Sequence, residues 1–389
     1  MARSEETELN CGHELSVSEP PVWGASLLNL LPLVADLGLG PGVCQTRSRI
    51  PSWSLDRGHT TVNEAKPCVA RSGTRDTSER VTEAAVAPLA RRWWYASKSA
   101  GWPKLLVPMG LGQAIGLSGR ARFDWPAFAV ALCFTWFGLL FIVLLNDWGD
   151  REVDSIKRRM FPKGCSPKTI PDGILSARKV LAAGVCAGVV AAAAALCGGT
   201  WIDRPWLGPM GLGAMGLFHA YTFAPLRLNY RGGGELLEAV GVGVALPWLN
   251  AYAQNGKLLS PALWVLAGNG LLAFASAVAS GLSDEQSDRA GGKTTLTTFL
   301  GNAAARTVVE TSTLLGALAW LLTALSVPAM QVAALAAAVV LWHHHRLRKL
   351  SPRAVTNAFC EHKLYKQQLH RAVWGAGALL AALIAVQSH

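Results

Sequence analysis

Charge is scarce in this 389-residue chain: Asp, Glu, Lys and Arg make up 16% of it, against 51% hydrophobic residues. Soluble domains carry roughly 25% charge. With a mean hydropathy of +0.28, an ordinary soluble enzyme is excluded. Cysteine is also sparse, and its positions (11, 44, 68, 133, 165, 186, 197 and 360) show no paired spacing. Neither a disulfide framework nor a zinc site is supported. A nucleotide-binding loop is missing as well. Gly291-Gly292-Lys293-Thr294 ends like one, but Ser287 stands where the pattern needs glycine and no strand precedes it. The first 90 residues lack any sustained period, and their apolar patch Leu28 to Leu39 is broken by Pro32 and Asp36 and preceded by Glu5, Glu6 and Glu8. A signal peptide requires a basic flank and a cleavage site, so residues 1–90 are expected to be a disordered or non-native extension, with the domain proper at 91–389.

What the chain does have is long apolar runs. Nine of them, near 103–119, 126–146, 177–199, 206–224, 236–254, 261–281, 305–325, 327–343 and 372–387, approach the roughly 20 residues a bilayer core demands. The expected fold is all-α, a polytopic membrane bundle of about nine transmembrane helices. Trp93, Trp94 and Tyr95 after Arg91 and Arg92 read as an interfacial anchor. With the N-terminus inside, the loops 150–179, 224–236, 282–306 and 342–371 hold twenty Lys and Arg, whereas the opposite loops hold Arg120, Arg122, Arg204 and Lys257. That is positive-inside bias. The net charge of +11 therefore orients the protein in a lipid bilayer, and no nucleic-acid partner is expected. A bacterial inner membrane is the expected location. His343-His344-His345 reads as a basic helix end beside the membrane, and the Gly184/Gly188 pair as a close helix contact.

Two acidic clusters stand out because a carboxylate at the centre of a spanning helix costs roughly 2.5–3.5 kcal/mol. Each closes an apolar run, and both fall on the cytoplasmic side. Asn146, Asp150 and Asp154 are spaced four apart, which places them on one helical face. Asp147 sits about 100° round from it, suited to a supporting or capping role in the same metal set. Asp284 and Asp288 repeat the spacing. Such hard oxygen donors suit Mg²⁺, which is typically shared between one or two carboxylates and substrate phosphates. Arg151, Lys157, Arg158, Arg159, Lys163 and Lys168 follow the first cluster, and Arg289 and Lys293 the second. A diphosphate fits both signs of charge. Membrane orientation alone accounts for several of these bases; Lys163, Lys168 and Lys293 are the preferred ligands, with Arg151 beside them. A cation-coupled transporter is the rival reading, since acidic groups on membrane helices also mark ion paths.

Three motifs in order are similar to the UbiA superfamily of intramembrane prenyltransferases. They are Asn146-Asp-x-x-Asp150-x-x-x-Asp154, Tyr221-Thr-Phe-Ala-Pro-Leu-Arg227-Leu followed by Gly234-Glu235, and Asp284-x-x-x-Asp288 leading to Gly292-Lys293-x-Thr295-Leu296. The resemblance implies Mg²⁺-dependent transfer of a polyprenyl group from a prenyl diphosphate to an acceptor, expected to be aromatic and of quinone type. By the same resemblance Asp150, Asp154, Asp284 and Asp288 are the catalytic carboxylates, Arg227 joins the diphosphate ligands, and Tyr221 lies near the active chamber. The motif endings look most like 1,4-dihydroxy-2-naphthoate prenyltransferases, although Ser280, Gly281 and Ser283 depart from the paired Asn and Arg usual there. The first motif is also similar to the chlorophyll-synthase branch, which leaves an esterifying reaction as the alternative.

Overall fold

Long apolar runs decide where the longest helices lie. In the computed structural model, residues 83–118, 122–162, 165 and 168–388 are described; nearly all of the expected extension, and Lys163, lie outside them. Helix α1 (Leu89–Ala96) carries the aromatic anchor, with Trp94 60% exposed. It meets α2 (Pro103–Leu117) through the edge-on pair Trp94 and Trp102, 5.1 Å apart. Asp124 caps α3 (Trp125–Gly149) by accepting the Ala127 amide at 3.1 Å. After a kink at Asp150, α4 (Arg151–Met160) continues the chain out of the apolar run. Then come α5 (Ala177–Trp201) and α6 (Leu207–Thr222). Next, α7 (Gly234–Val240) passes through one π-helical turn at Gly241–Ala245 into α8 (Leu246–Asn255).

The second half is built from α9 (Val265–Gly281), the short α10 (Glu285–Ala290) and α11 (Leu296–Leu300), and the long α12 (Asn302–Ser326). Helix α13 (Ala333–Leu350) follows, and α14 (Phe359–His370) runs through a second π turn into α15 (Ala376–Gln387). No extended strand occurs among the described residues, only the isolated bridge between Arg231 and Thr294.

Each of the nine apolar runs contains a helix, but among the described residues six helices are long and apolar enough to cross a membrane: 125–149, 177–201, 234–255, 261–281, 302–326 and 359–387. The expected nine is thus not reached by that measure. Helices α2 and α6 have 15 and 16 residues, about 22 and 24 Å of rise against a core of about 30 Å. Helix α13 starts later than the expected 327 and ends in a basic run. The small-residue contacts hold: a Cβ on Gly184 would come within 2.6 Å of Leu145, and one on Gly188 within 2.6 Å of Phe141, so α5 lies directly on α3. Cys133, Cys165, Cys186 and Cys197 are free thiols.

Candidate active site

Both acidic clusters sit where a long helix breaks and a short polar one begins. The Asp150 amide donates to the Asn146 carbonyl at 2.9 Å and the Asp154 amide to the Asp150 carbonyl at 2.8 Å, so the helical spacing survives the kink between α3 and α4. At the other motif the Asp288 amide donates to the Asp284 carbonyl at 2.8 Å. The two motifs are tied to each other by exchanged lysines. Lys157, on α4, pairs with Asp284, and Lys293, beyond α10, donates to Asp150 Oδ2 at 3.0 Å. Lys168 closes a third pair with Asp154 Oδ1 at 2.6 Å. Asp150 Oδ1 also accepts from Asn229 at 3.4 Å, and Asp284 from Ser283 at 2.8 Å.

The α6–α7 loop is stitched onto the second motif. The Gly232 amide donates to the Thr294 carbonyl at 2.8 Å, the Thr294 amide to the Tyr230 carbonyl at 3.1 Å, and the Leu296 amide to the buried Glu235 carboxylate at 2.7 Å. This brings the Tyr230 ring between two cations. The Arg227 guanidinium stacks 3.7 Å from its centre and Lys293 Nζ lies 5.3 Å from it. Asp147 takes a different part: it is buried, with Oδ1 paired to Lys98 and Oδ2 accepting from Thr169 at 2.6 Å. Arg151 lies over Trp148, 4.5 Å from the ring centre, donates to the Trp148 carbonyl at 2.7 Å and pairs with Glu152 at 3.5 Å. His343 meets Gln368 at 2.7 Å, inside the bundle.

Electrostatics separate the two acids of the second motif. Burial pushes Asp288 up to about 7, helped by the like charges of Asp284 and Asp150 and only partly offset by Lys293. Burial acts on Asp284 in the same direction, but Lys157 and Lys168 overcome it and hold that carboxyl below the usual carboxylate range. For Lys293 and Lys168, burial works against the charged form; Asp150 and Asp288 outweigh it for the first, Asp154 and Asp284 for the second, and both are raised.

Among the described residues no three His, Cys, Asp or Glu side chains converge on one ion position. The donor set nevertheless fits Mg²⁺, an ion that keeps several waters and takes one or two carboxylates with substrate phosphates. Asn146, Asp150, Asp154, Asp284 and Asp288 would each offer an oxygen to such an ion.

Next to this polar mouth lies an apolar chamber of about 260 Å³ between α2, α3, α6 and α7. Phe134, Leu139, Phe141, Ile142, Met215 and Phe218 are among its walls; Asn146, Tyr221, Lys98, Lys104 and Glu238 are its polar members. Tyr221 is one of the lining residues. Sequence reasoning missed Asn229, Tyr230, Lys98, Lys104 and Glu238. No spacing marks them, because each reaches the site only through packing between elements distant in the chain.

Residues 105–366 match the UbiA prenyltransferase family. The chain is 26% identical over 107 residues to 1,4-dihydroxy-2-naphthoate octaprenyltransferase of Bacillus subtilis, a stretch covering 28% of this chain and 34% of the relative. It therefore spans about a third of the length of that curated relative. Among solved structures, a UbiA homologue from Archaeoglobus fulgidus bound to GPP and Mg²⁺ superposes with a TM-score of 0.56 at 15% identity, covering 76% of this chain and 98% of the other. A structure of digeranylgeranylglyceryl phosphate synthase in membranes gives 0.52 at 12% identity, covering 75% and 98%. At these identities the likeness establishes the fold.

Proposed function

We propose, from the premise that this chain belongs to the UbiA prenyltransferase family, that it transfers a polyprenyl group from a prenyl diphosphate to an aromatic acceptor within the membrane. The observation that carries the reading is the exchange of lysines between two acidic motifs at the mouth of an apolar chamber. A diphosphate needs cations for its oxygens and an apolar space for its chain, and the site offers both side by side.

Asn146, Asp150, Asp154, Asp284 and Asp288 would hold Mg²⁺, which when bound neutralises charge building on the departing diphosphate. Lys157, Lys168 and Lys293 stand within reach of the same oxygens and would turn from carboxylate to phosphate as the substrate enters. Phe134, Phe141 and Phe218 keep water from the allylic cation left behind, so that an electron-rich ring captures it first. Asn146 lines the chamber at the end of α3, where the cleaved carbon–oxygen bond would lie. At about 260 Å³ the chamber is below the roughly 300–1,000 Å³ of common ligand sites, so a long prenyl chain would extend beyond it toward lipid. A quinone-type acceptor is favoured by the naphthoate enzyme among its relatives, and positive-inside bias favours a cytoplasmic mouth in a bacterial inner membrane.

The test is product identification. Membranes containing the protein are incubated with Mg²⁺, prenyl diphosphates of several lengths, and a panel of phenols, aromatic acids and glyceryl phosphates, and products are weighed by mass spectrometry. A prenylated aromatic is expected; solute counterflow without any prenylated product would favour transport instead.

A further inference from the structure

We infer that Glu238 is the base that removes the ring proton when the acceptor is alkylated at a carbon bearing hydrogen, an assignment that rests on the aromatic-acceptor reading above. Glu238 lies on α7, outside every acidic motif, and is the one carboxylate among the described residues lining the chamber. It pairs with Lys104 of α2, also a lining residue, and the side chains are only 17% and 27% exposed. A largely buried ion pair adds little net stability over an apolar pair of the same volume, so stability gives no reason for one in the wall of this chamber.

Its position suits the chemistry. Tyr221 lies within electrostatic range of Glu238 and of Asp150 and Asp288, and Lys366 within range of Glu238, Lys104 and Asp284. Glu238 thus stands on the chamber wall near the polar mouth, with Asn146 lining the same space. An acceptor held in this space would have its ring beside Glu238, with the carbon–oxygen bond of the prenyl diphosphate toward the mouth.

The electrons balance as follows. The carbon–oxygen bond of the prenyl diphosphate breaks and its pair leaves with the diphosphate. A π pair of the acceptor ring forms the new carbon–carbon bond, leaving a cationic ring. The C–H bond at the alkylated carbon then returns its pair to the ring, and its proton passes to a Glu238 carboxylate oxygen. Such a cationic ring is a strong acid, so a carboxylate is a sufficient base. Lys104 is a positioning residue, steering Glu238 from the opposite helix.

The test separates ionisation from proton removal, using full-length protein in membranes with Mg²⁺. Prenyl diphosphates of several lengths, each carrying ¹⁸O at the bridging position, report ionisation, because cleavage and return scramble the label. Prenylated product in which a ring hydrogen has been replaced, identified by its mass from a panel containing 1,4-dihydroxy-2-naphthoate, 4-hydroxybenzoate and simple phenols, reports the full reaction. In Glu238→Gln we expect label scrambling to persist while product falls about a hundredfold or more, with Glu238→Asp recovering part of it. Product at the wild-type rate in Glu238→Gln overturns the assignment. So does joint loss of scrambling and product, which would make Glu238 a support of the chamber. If wild-type protein scrambles the label but prenylates no aromatic, the acceptor reading fails and this assignment with it; if it does neither, prenyl diphosphate is not its substrate.

Discussion

Asp288 sets how the site answers to pH. Its carboxyl, pushed up to about 7 by burial and by Asp284 and Asp150, is protonated below that value and ionised above it. Only the ionised form binds a cation, so Mg²⁺ affinity should weaken as pH falls through about 7, with a proton released on binding. Mg²⁺ titrations at pH 6 and pH 8 would read this, and Asp288→Asn should flatten the difference. The lysine pairs make a second residue-scale prediction. Lys293→Met leaves Asp150 in a buried site without its cation, a change that costs about 3–5 kcal/mol in comparable pairs. Adding Asp150→Asn should recover much of the lost Tm in ligand-free protein, while turnover, which the carboxylate serves, falls by several orders of magnitude. Equal destabilisation in single and double variants would show that the pair is not coupled. The carboxylates were legible in sequence because four-residue spacing is a local property. Lys157 was not singled out, since in a basic loop orientation alone accounts for a lysine; its partner Asp284 lies 127 residues away.

At the scale of elements, Glu235 joins the start of α7 to the start of α11 through the Leu296 amide. Glu235→Ala would leave that amide unsatisfied, a loss of about 1–3 kcal/mol, and loosen the loop carrying Lys293. We expect a lower Tm together with a raised KM for prenyl diphosphate, and partial rescue by Glu235→Gln; an unchanged KM would mean the loop holds its place without this bond. Close packing of α2 on α8 is a separate constraint. A Cβ on Gly112 would fall 2.2 Å from the Pro247 carbonyl oxygen, so Gly112→Val should force the helices apart and lower Tm without touching the acidic motifs. Hydropathy located every apolar helix, but it did not resolve which could span. The runs at 103–119 and 206–224 read as spans because their residues are apolar, while Ser118 and Phe223 end the helices early. Nor did it reveal the π turns at Gly241–Ala245 and Arg371–Gly375, which arise where packing outweighs ideal helical hydrogen bonding.

For the molecule as a whole, the family match begins at residue 105, which predicts that deleting residues 2–80 leaves membrane insertion and prenyl transfer intact; loss of either would assign the extension a role. The exchange of lysines between the motifs reaches further. Because Lys157 comes from the first half and serves an acid in the second, while Lys293 does the reverse, the halves are not interchangeable parts. A chimera that joined residues up to the α8–α9 loop to the rear portion of a distant homologue would inherit cations and anions matched to absent counterparts. Any lineage that altered one of these charges would have to compensate in the other half of the sequence, so divergence at the two motifs is bound to proceed in step.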